Sequence, residues 1–344
     1  MNSDTTSVPS YEPVHPQGSG AQYRAMPTVS EDYYRMWRSP IFGVGKAIAA
    51  AFAFLIAFLV VSTILPAGAM IIDYLTGRSR VDVANSQDLS SVFAKITPNV
   101  FTANNLSLAA LILIALAISA VIIKQKGGYM SSVEGAFRWK WFASCLTISA
   151  PILVIYFIVY QFILPMIFSS GDATRLSSNS DTIFLLIVII LTTPLQAAGE
   201  EYGFRGVLTR VISSLTNKPL HALIAGSIVS AILFTCAHMA QDPWLNLFYF
   251  CFGLIACWLT WRTGGLEASI SIHIVNNVCA LILIPWIGLD AVFNRSSGVA
   301  GPWVLINIAV VALCAYLLER RARKLNIARH YLPTANNEES TLSL

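Results

Sequence analysis

The sequence predicts an all-α fold: a polytopic membrane helical bundle of about eight transmembrane helices, with disordered polar N- and C-terminal tails. Two observations carry this. The 344 residues are 56% hydrophobic and only 12% charged, with a mean hydropathy of +0.64, whereas soluble domains carry about 25% charged residues. The apolar residues also fall in runs long enough to cross a bilayer, about 20 residues each. These runs lie at 46–75, 105–123, 141–168, 182–204, 219–240, 244–262, 265–287 and 302–318, the last four closely spaced.

Taken in order, residues 1–38 are Pro-, Ser- and Gly-rich and poor in apolar content, the composition of a disordered cytoplasmic tail. The first apolar run starts past residue 40 and is too long for a signal-peptide core, so it reads as a span. Residues 39–181 hold the first three helices and their loops. The loop at 76–104 carries no obvious chemistry. The loop at 124–140 is basic and ends in Phe137-Arg138-Trp139-Lys140, which suits an interfacial anchor. Residues 182–287 form a four-helix core in which Pro194 is expected to bend the fourth helix. Gly206 to Asn217 reads as an amphipathic continuation toward the interface. Residues 288–324 hold the last helix and 325–344 a polar cytoplasmic tail. No internal repeat is visible.

Lys and Arg placement sets the orientation. With the N-terminus cytoplasmic, 17 of the 22 basic residues fall on inside segments; only Arg78, Arg80, Lys95, Arg175 and Arg295 fall outside. Both termini are therefore expected in the cytoplasm. The net charge of +4 is this positive-inside signal and calls for no nucleic acid. Cys145, Cys236, Cys251, Cys257, Cys279 and Cys314 all sit in apolar runs without metal-ligand spacing and read as packing thiols.

Against this background one segment stands out. Gly199-Glu200-Glu201-Tyr202-Gly203-Phe204-Arg205 follows the apolar run Ile183 to Ala198, although one charged residue in a membrane helix costs roughly 2.5–3.5 kcal/mol. Glu201 and Arg205 are spaced i,i+4 and can pair on one helix face. Glu200 lies about 100° around the helix, which leaves its carboxylate available. Phe234 with His238 and His273 with Asn277 repeat the same spacing. Singly, each has a packing explanation: a helix-to-helix hydrogen bond for a histidine or asparagine, a structural ion pair for Glu201 and Arg205. Together, two imidazoles, an amide and a free carboxylate are the parts of a water-activating hydrolytic site. The glutamate can take a proton from water, the imidazoles can polarise a carbonyl or ligate a metal, and Asn277 can donate to an oxyanion.

Glu-Glu-x-x-x-Arg, Phe-x-x-x-His and His-x-x-x-Asn, in this order over residues 182–287, resemble the three-motif signature of the CPBP intramembrane proteases. That family comprises the type II CAAX prenyl endopeptidases and their bacterial relatives, also called Abi proteins. The resemblance implies an eight-helix membrane-embedded endopeptidase in a bacterial plasma membrane, acting on a peptide or membrane-protein substrate within the lipid bilayer. It implies Glu200 as the water-activating base, supported by Glu201 and Arg205. His238 would activate the water or bind metal, with His273 and Asn277 on the oxyanion side. A Zn2+ or another divalent metal on His238, His273 and Glu200 stays open, because this ligand set is thin. A non-catalytic bacteriocin self-immunity factor and a proton-coupled transporter are the alternative readings. One geometric tension accompanies the motifs. His238 lies roughly 28 Å along its helix from Pro219, but His273 only roughly 12 Å from Gly265. Both can face Glu200 only if the fifth helix starts deep or is steeply tilted.

Overall fold

The computed structural model describes residues 25–78, 96–164, 166, 176–289 and 294–333. The tail residues 1–24 and 334–344, with Arg24, Arg80, Lys95 and Arg175, lie outside them. Among the described residues eight long helices form the bundle. They are α1 (Val44–Leu75), α2 (Pro98–Ile118), α3 (Trp139–Ile158), α4 (Thr182–Glu200), α5 (Pro219–Ala237), α6 (Pro243–Thr263), α7 (Glu267–Leu281) and α8 (Val304–Lys324). Helix α2 continues through a π-helical turn to Ile123, α3 likewise to Ile163, and α4 continues without a break to Ser213. Seven of the eight are long and apolar enough to cross a membrane. The exception is α8, whose last turns carry Glu319, Arg320, Arg321, Arg323 and Lys324.

Local chemistry sets the helix starts. Thr97 accepts from the Val100 amide at 3.2 Å and Asp242 from the Trp244 amide at 2.8 Å. Each is an N-cap followed by proline at the first helical position, where a missing N–H costs nothing. The contacts run α1 against α2, α2 against α4, α3 against α7, and α5 and α8 against α6. Pro194 is accommodated inside α4.

The chain ends depart from the expected tails. Residues 25–38 are packed into the protein: Tyr33, Tyr34, Met36 and Trp37 are buried in the same core as α1, α2 and the end of α4. The Tyr33 hydroxyl donates to the Met130 carbonyl, and the Tyr34 hydroxyl to that of Cys257 at 2.9 Å. Gln125 donates to the Met36 carbonyl at 2.9 Å and to that of Ala25 at 3.2 Å. A two-residue strand β1 (Glu31–Asp32) pairs antiparallel with β2 (His330–Tyr331), so the segment after α8 is not a free tail either. The aromatic burial and the backbone pairing outweigh the polar composition that suggested disorder.

These segments form a cap over one end of the bundle, together with the loops at 124–138, 214–218 and 264–266. Arg138, expected as an interfacial anchor, is its keystone. Its guanidinium meets Glu267 through Nε at 2.9 Å and Nη2 at 2.7 Å, and also donates to the Ala328 carbonyl at 3.0 Å and the Thr263 carbonyl at 2.9 Å. The stretch from Gly206 is not an amphipathic interfacial helix. It is buried almost throughout to Ser214, and Arg210 lies under the cap, 3.9 Å from the Tyr33 ring centroid. The opposite end of the bundle is tied by Arg78 to Asp181 at 3.2 Å and by Asn99 to Asp73 at 2.6 Å.

Glu267 is fully buried. Removing one partner of a buried ion pair strands the other charge, at a cost of about 3–5 kcal/mol. Arg138→Ala is therefore expected to lower the thermal unfolding midpoint in detergent markedly. Arg138→Lys should recover little of the loss, because a lysine cannot form the two-pronged contact.

Candidate active site

Two local features place Glu200. At Gly199 an added Cβ would fall 2.0 Å from the Leu108 carbonyl oxygen, so glycine alone allows α4 to lie this close to the backbone of α2. Immediately after Glu200 the helix widens into a π-helix over Glu201–Leu208, a distortion that recurs at functional sites. The displaced Phe204 carbonyl is taken by two hydroxyls, Thr209 Oγ1 and Ser230 Oγ, each at 2.9 Å. Sequence periodicity treats this stretch as ordinary helix; the widened turn re-aims Glu201 and Arg205 into the bundle.

Five of the six expected site residues meet in one network. Glu201 Oε1 lies 3.2 Å from Arg205 Nη1, both side chains fully buried. The same oxygen is 2.8 Å from His273 Nδ1. An ionised carboxylate can only accept, so this contact puts a proton on Nδ1. The other ring nitrogen, Nε2, faces Glu200 Oε2 at 3.4 Å. Glu200 Oε1 accepts from Gln196 Nε2 at 2.6 Å, and Gln196 Oε1 accepts from Asn277 Nδ2 at 3.3 Å. Asn276 donates to Asn277 Oδ1 at 3.2 Å. The polar chain therefore runs Asn277, Gln196, Glu200, His273, Glu201, Arg205. The Arg205 guanidinium lies 4.3 Å from the Phe234 ring centroid and 5.9 Å from that of Phe252, so aromatic faces take the side of the cation that no carboxylate covers.

The sixth residue, His238, stands beside this network. Its ring stacks on Tyr249 at 3.8 Å and touches Phe234 at 4.5 Å, while Phe234 in turn lies 6.0 Å from His273. His238 Nδ1 is 2.8 Å from the Phe234 carbonyl oxygen. A carbonyl accepts only, so Nδ1 carries the proton and Nε2 keeps its lone pair in the neutral ring.

The tension over helix depth is resolved by the register of α5. Ser213 donates to the Ala222 carbonyl at 2.9 Å, Gly226 faces the Thr209 carbonyl so closely that a Cβ would sit 3.0 Å from it, and Ser230 reaches Phe204. Continuing this antiparallel register brings Phe234 level with Glu200 and His238 level with Gln196. Helix α5 meets the condition by starting deep, against the far end of the helical run that carries Glu200.

Among the described residues, no group of three His, Cys, Asp or Glu side chains is arranged to hold a metal ion. Both nitrogens of His273 face carboxylates, while His238 lies between aromatic rings with Nδ1 on the Phe234 carbonyl. The set His238, His273 and Glu200 thus does not fit the three-ligand centre of a catalytic zinc. Gln196, Tyr249 and Phe252 were missed from sequence. Gln196 carried a usable signal: it is the one amide in the run from Ile183 to Ala198, one turn before Glu200. Tyr249 and Phe252 are indistinguishable in sequence from the other aromatics of α6.

A membrane-embedded bundle with a buried carboxylate–imidazole–carboxylate chain is the class of protein that fold and site define. Residues 180–279 match the family described as type II CAAX prenyl endopeptidase Rce1-like, so the resemblance read from the three motifs holds for this segment. Uncharacterized protein YyaK of Bacillus subtilis (strain 168) is 32% identical over 104 residues, which cover 30% of this chain and 35% of that protein. The aligned part thus spans about a third of the length of that relative. No solved structure matches.

Arg205→Ala leaves the Glu201 carboxylate buried without its counter-ion. A loss of about 3–5 kcal/mol is expected, read as a large fall in thermal midpoint and in the yield of monodisperse protein in detergent.

Proposed function

We propose that the chain is an intramembrane endopeptidase in which Glu200 activates water. The observation that carries this reading is the asymmetry of the two adjacent carboxylates. Glu201 is committed to Arg205 and His273. Glu200 is steadied through one oxygen by Gln196, while its buried Oε2 has no hydrogen-bond partner among the described residues and faces the His273 ring. A carboxylate oriented on one oxygen and able to accept on the other suits a general base.

In the proposed reaction Glu200 takes a proton from water as the hydroxide oxygen adds to the peptide carbonyl carbon. The developing oxyanion accepts from Asn277 Nδ2 and lies beside the His273 ring, whose orientation Glu201 fixes through Nδ1–H, as a buried carboxylate fixes the histidine of a catalytic triad. Glu200 then returns its proton to the leaving nitrogen as the C–N bond breaks, giving a carboxylic acid and an amine, which end as carboxylate and ammonium once the acid passes its proton to the amine. His238, with its lone pair on Nε2, orients the attacking water. Every step uses residues of this chain, and a peptide or membrane-protein segment is the substrate.

Glu200→Gln keeps the shape and the Gln196 contact but cannot take the proton. Cleavage of a peptide library by the purified protein should fall to background in this variant, with its thermal midpoint nearly unchanged. Retained cleavage overturns the role of Glu200. Gln196→Leu removes a hydrogen bond to a charged group, worth about 1.5–3 kcal/mol. Its turnover should therefore fall about ten- to a hundredfold, with little change in KM.

A further inference from the structure

We infer that the site receives its substrate from the face of the bundle opposite the chain ends, as a polypeptide segment presented on that side. The inference rests on the endopeptidase reading and names which substrates can reach it.

On the side of the chain ends the site is closed. From the catalytic level toward the cap, α7 is buried at every residue from Glu267 to His273, and the α4 run at every residue from Gly199 to Val207. Glu201, Arg205, Thr209 and Arg210 are all 0% exposed. The N-terminal segment completes the seal, with Tyr34 bonded to the α6 backbone at Cys257.

Toward the opposite face the start of α2, the start of α4 and the segment after α7 still pack in a separate apolar cluster of Phe101, Leu185, Val188, Ile189, Ile284 and Leu289. On the side of α5 and α6, however, the burial stops at the level of the catalytic groups. Every residue from Asn277 to Leu283 is partly exposed, and no residue of α6 from Pro243 to Cys251 is buried. His238 is partly exposed, and its neighbour Met239 is 79% exposed. The register of α5 accounts for this. Because that helix begins deep, it ends level with Gln196, about 21 Å short of the start of α4. No turn of α5 remains to roof the site. The turn after it is held instead by residues 294–301: Gln241 donates to the Arg295 carbonyl at 2.8 Å, and Asp242 accepts from the Gly298 and Ala300 amides at 2.8 and 3.3 Å.

The approach is also polar. Asn277, Tyr249 and Asn246 lie along it, and Gln161 reaches the Cys279 carbonyl at 3.1 Å. Amide and hydroxyl groups of this kind match the donors and acceptors of an extended peptide backbone. A segment delivered on the side of the chain ends, as a prenylated cytoplasmic C-terminus would be if the basic cap is cytoplasmic, meets the closed cap.

The test reads access without requiring turnover. The full chain, with its six native cysteines replaced by serine or alanine, carries a single Asn277→Cys. It is reconstituted in sealed vesicles of both orientations, separated by access to a C-terminal tag, and treated with a membrane-impermeant maleimide. Labelling is expected in vesicles whose outer surface is the face opposite the tag, with protection in the other orientation. Labelling from the tag side overturns the proposal, as does labelling only by a lipid-soluble maleimide. Should Asn277→Cys fail to fold, Leu281→Cys, one turn farther along the same face of α7, gives the same readout. Failure here leaves the Glu200→Gln result standing, and a cleavage-negative protein can still show one-sided labelling.

Discussion

The buried contact among Glu201, Arg205 and His273 is the constraint on which the bundle's centre is built. Taking a carboxylate and a guanidinium out of water costs several kcal/mol per ion, and the loss is recovered only where geometry is close and remaining valences are met. Here four helices contribute, through ion pairing and aromatic contact and not through a full set of hydrogen bonds, since the Arg205 guanidinium nitrogens have no hydrogen-bond partner among the described residues. Helix α4 brings both charges, α5 and α6 bring the Phe234 and Phe252 rings against the guanidinium, and α7 brings the imidazole. A shift of any of the four exposes a charge to hydrocarbon. The relative placement of these helices is thereby fixed, and Glu200 inherits a defined position from its neighbour without carrying any of the cost of holding the helices together.

The cap performs a second, separate task at one end. Arg138 joins the α3 and α7 starts to the segment after α8, and the Tyr33–Trp37 cluster fills the space between the helix ends. Arg210 is satisfied there by the Tyr129 carbonyl at 2.7 Å and by the Tyr33 face. This is a cation held by dipoles and an aromatic ring, with no carboxylate in contact among the described residues. The two ends of the bundle are thus built differently: one is closed by the cap, while the other joins a small apolar cluster around Phe101, Ile189 and Ile284 to a few polar bridges.

Much of this was legible in the sequence because the relevant signals are local. Long apolar runs give the spans, and i,i+4 spacing gives the pairing of Glu201 with Arg205. The order of the three motifs gives the meeting of Glu200, His273 and Asn277. What was not legible depends on distant partners. Residues 31–37 look polar when averaged, yet their aromatic side chains find a core made of α1, α2 and α4. Arg138 looks like a membrane anchor until Glu267 is placed opposite it. The widened turn after Glu200 leaves no trace in composition, since it answers to hydroxyls on Thr209 and Ser230. The depth of α5 was visible only as a conflict between two distances.

The pairing of Glu31 with Tyr331 has a consequence for biosynthesis. The segment of the cap that leaves the ribosome before α1 has its backbone partner after α8. It must therefore wait undocked while every helix of the bundle is inserted, and Arg210 stays uncovered through the same interval. Closure of the cap is the final event of assembly, so a chain truncated before residue 330 would hold all its membrane helices and the whole polar network but leave that end of the bundle unsealed.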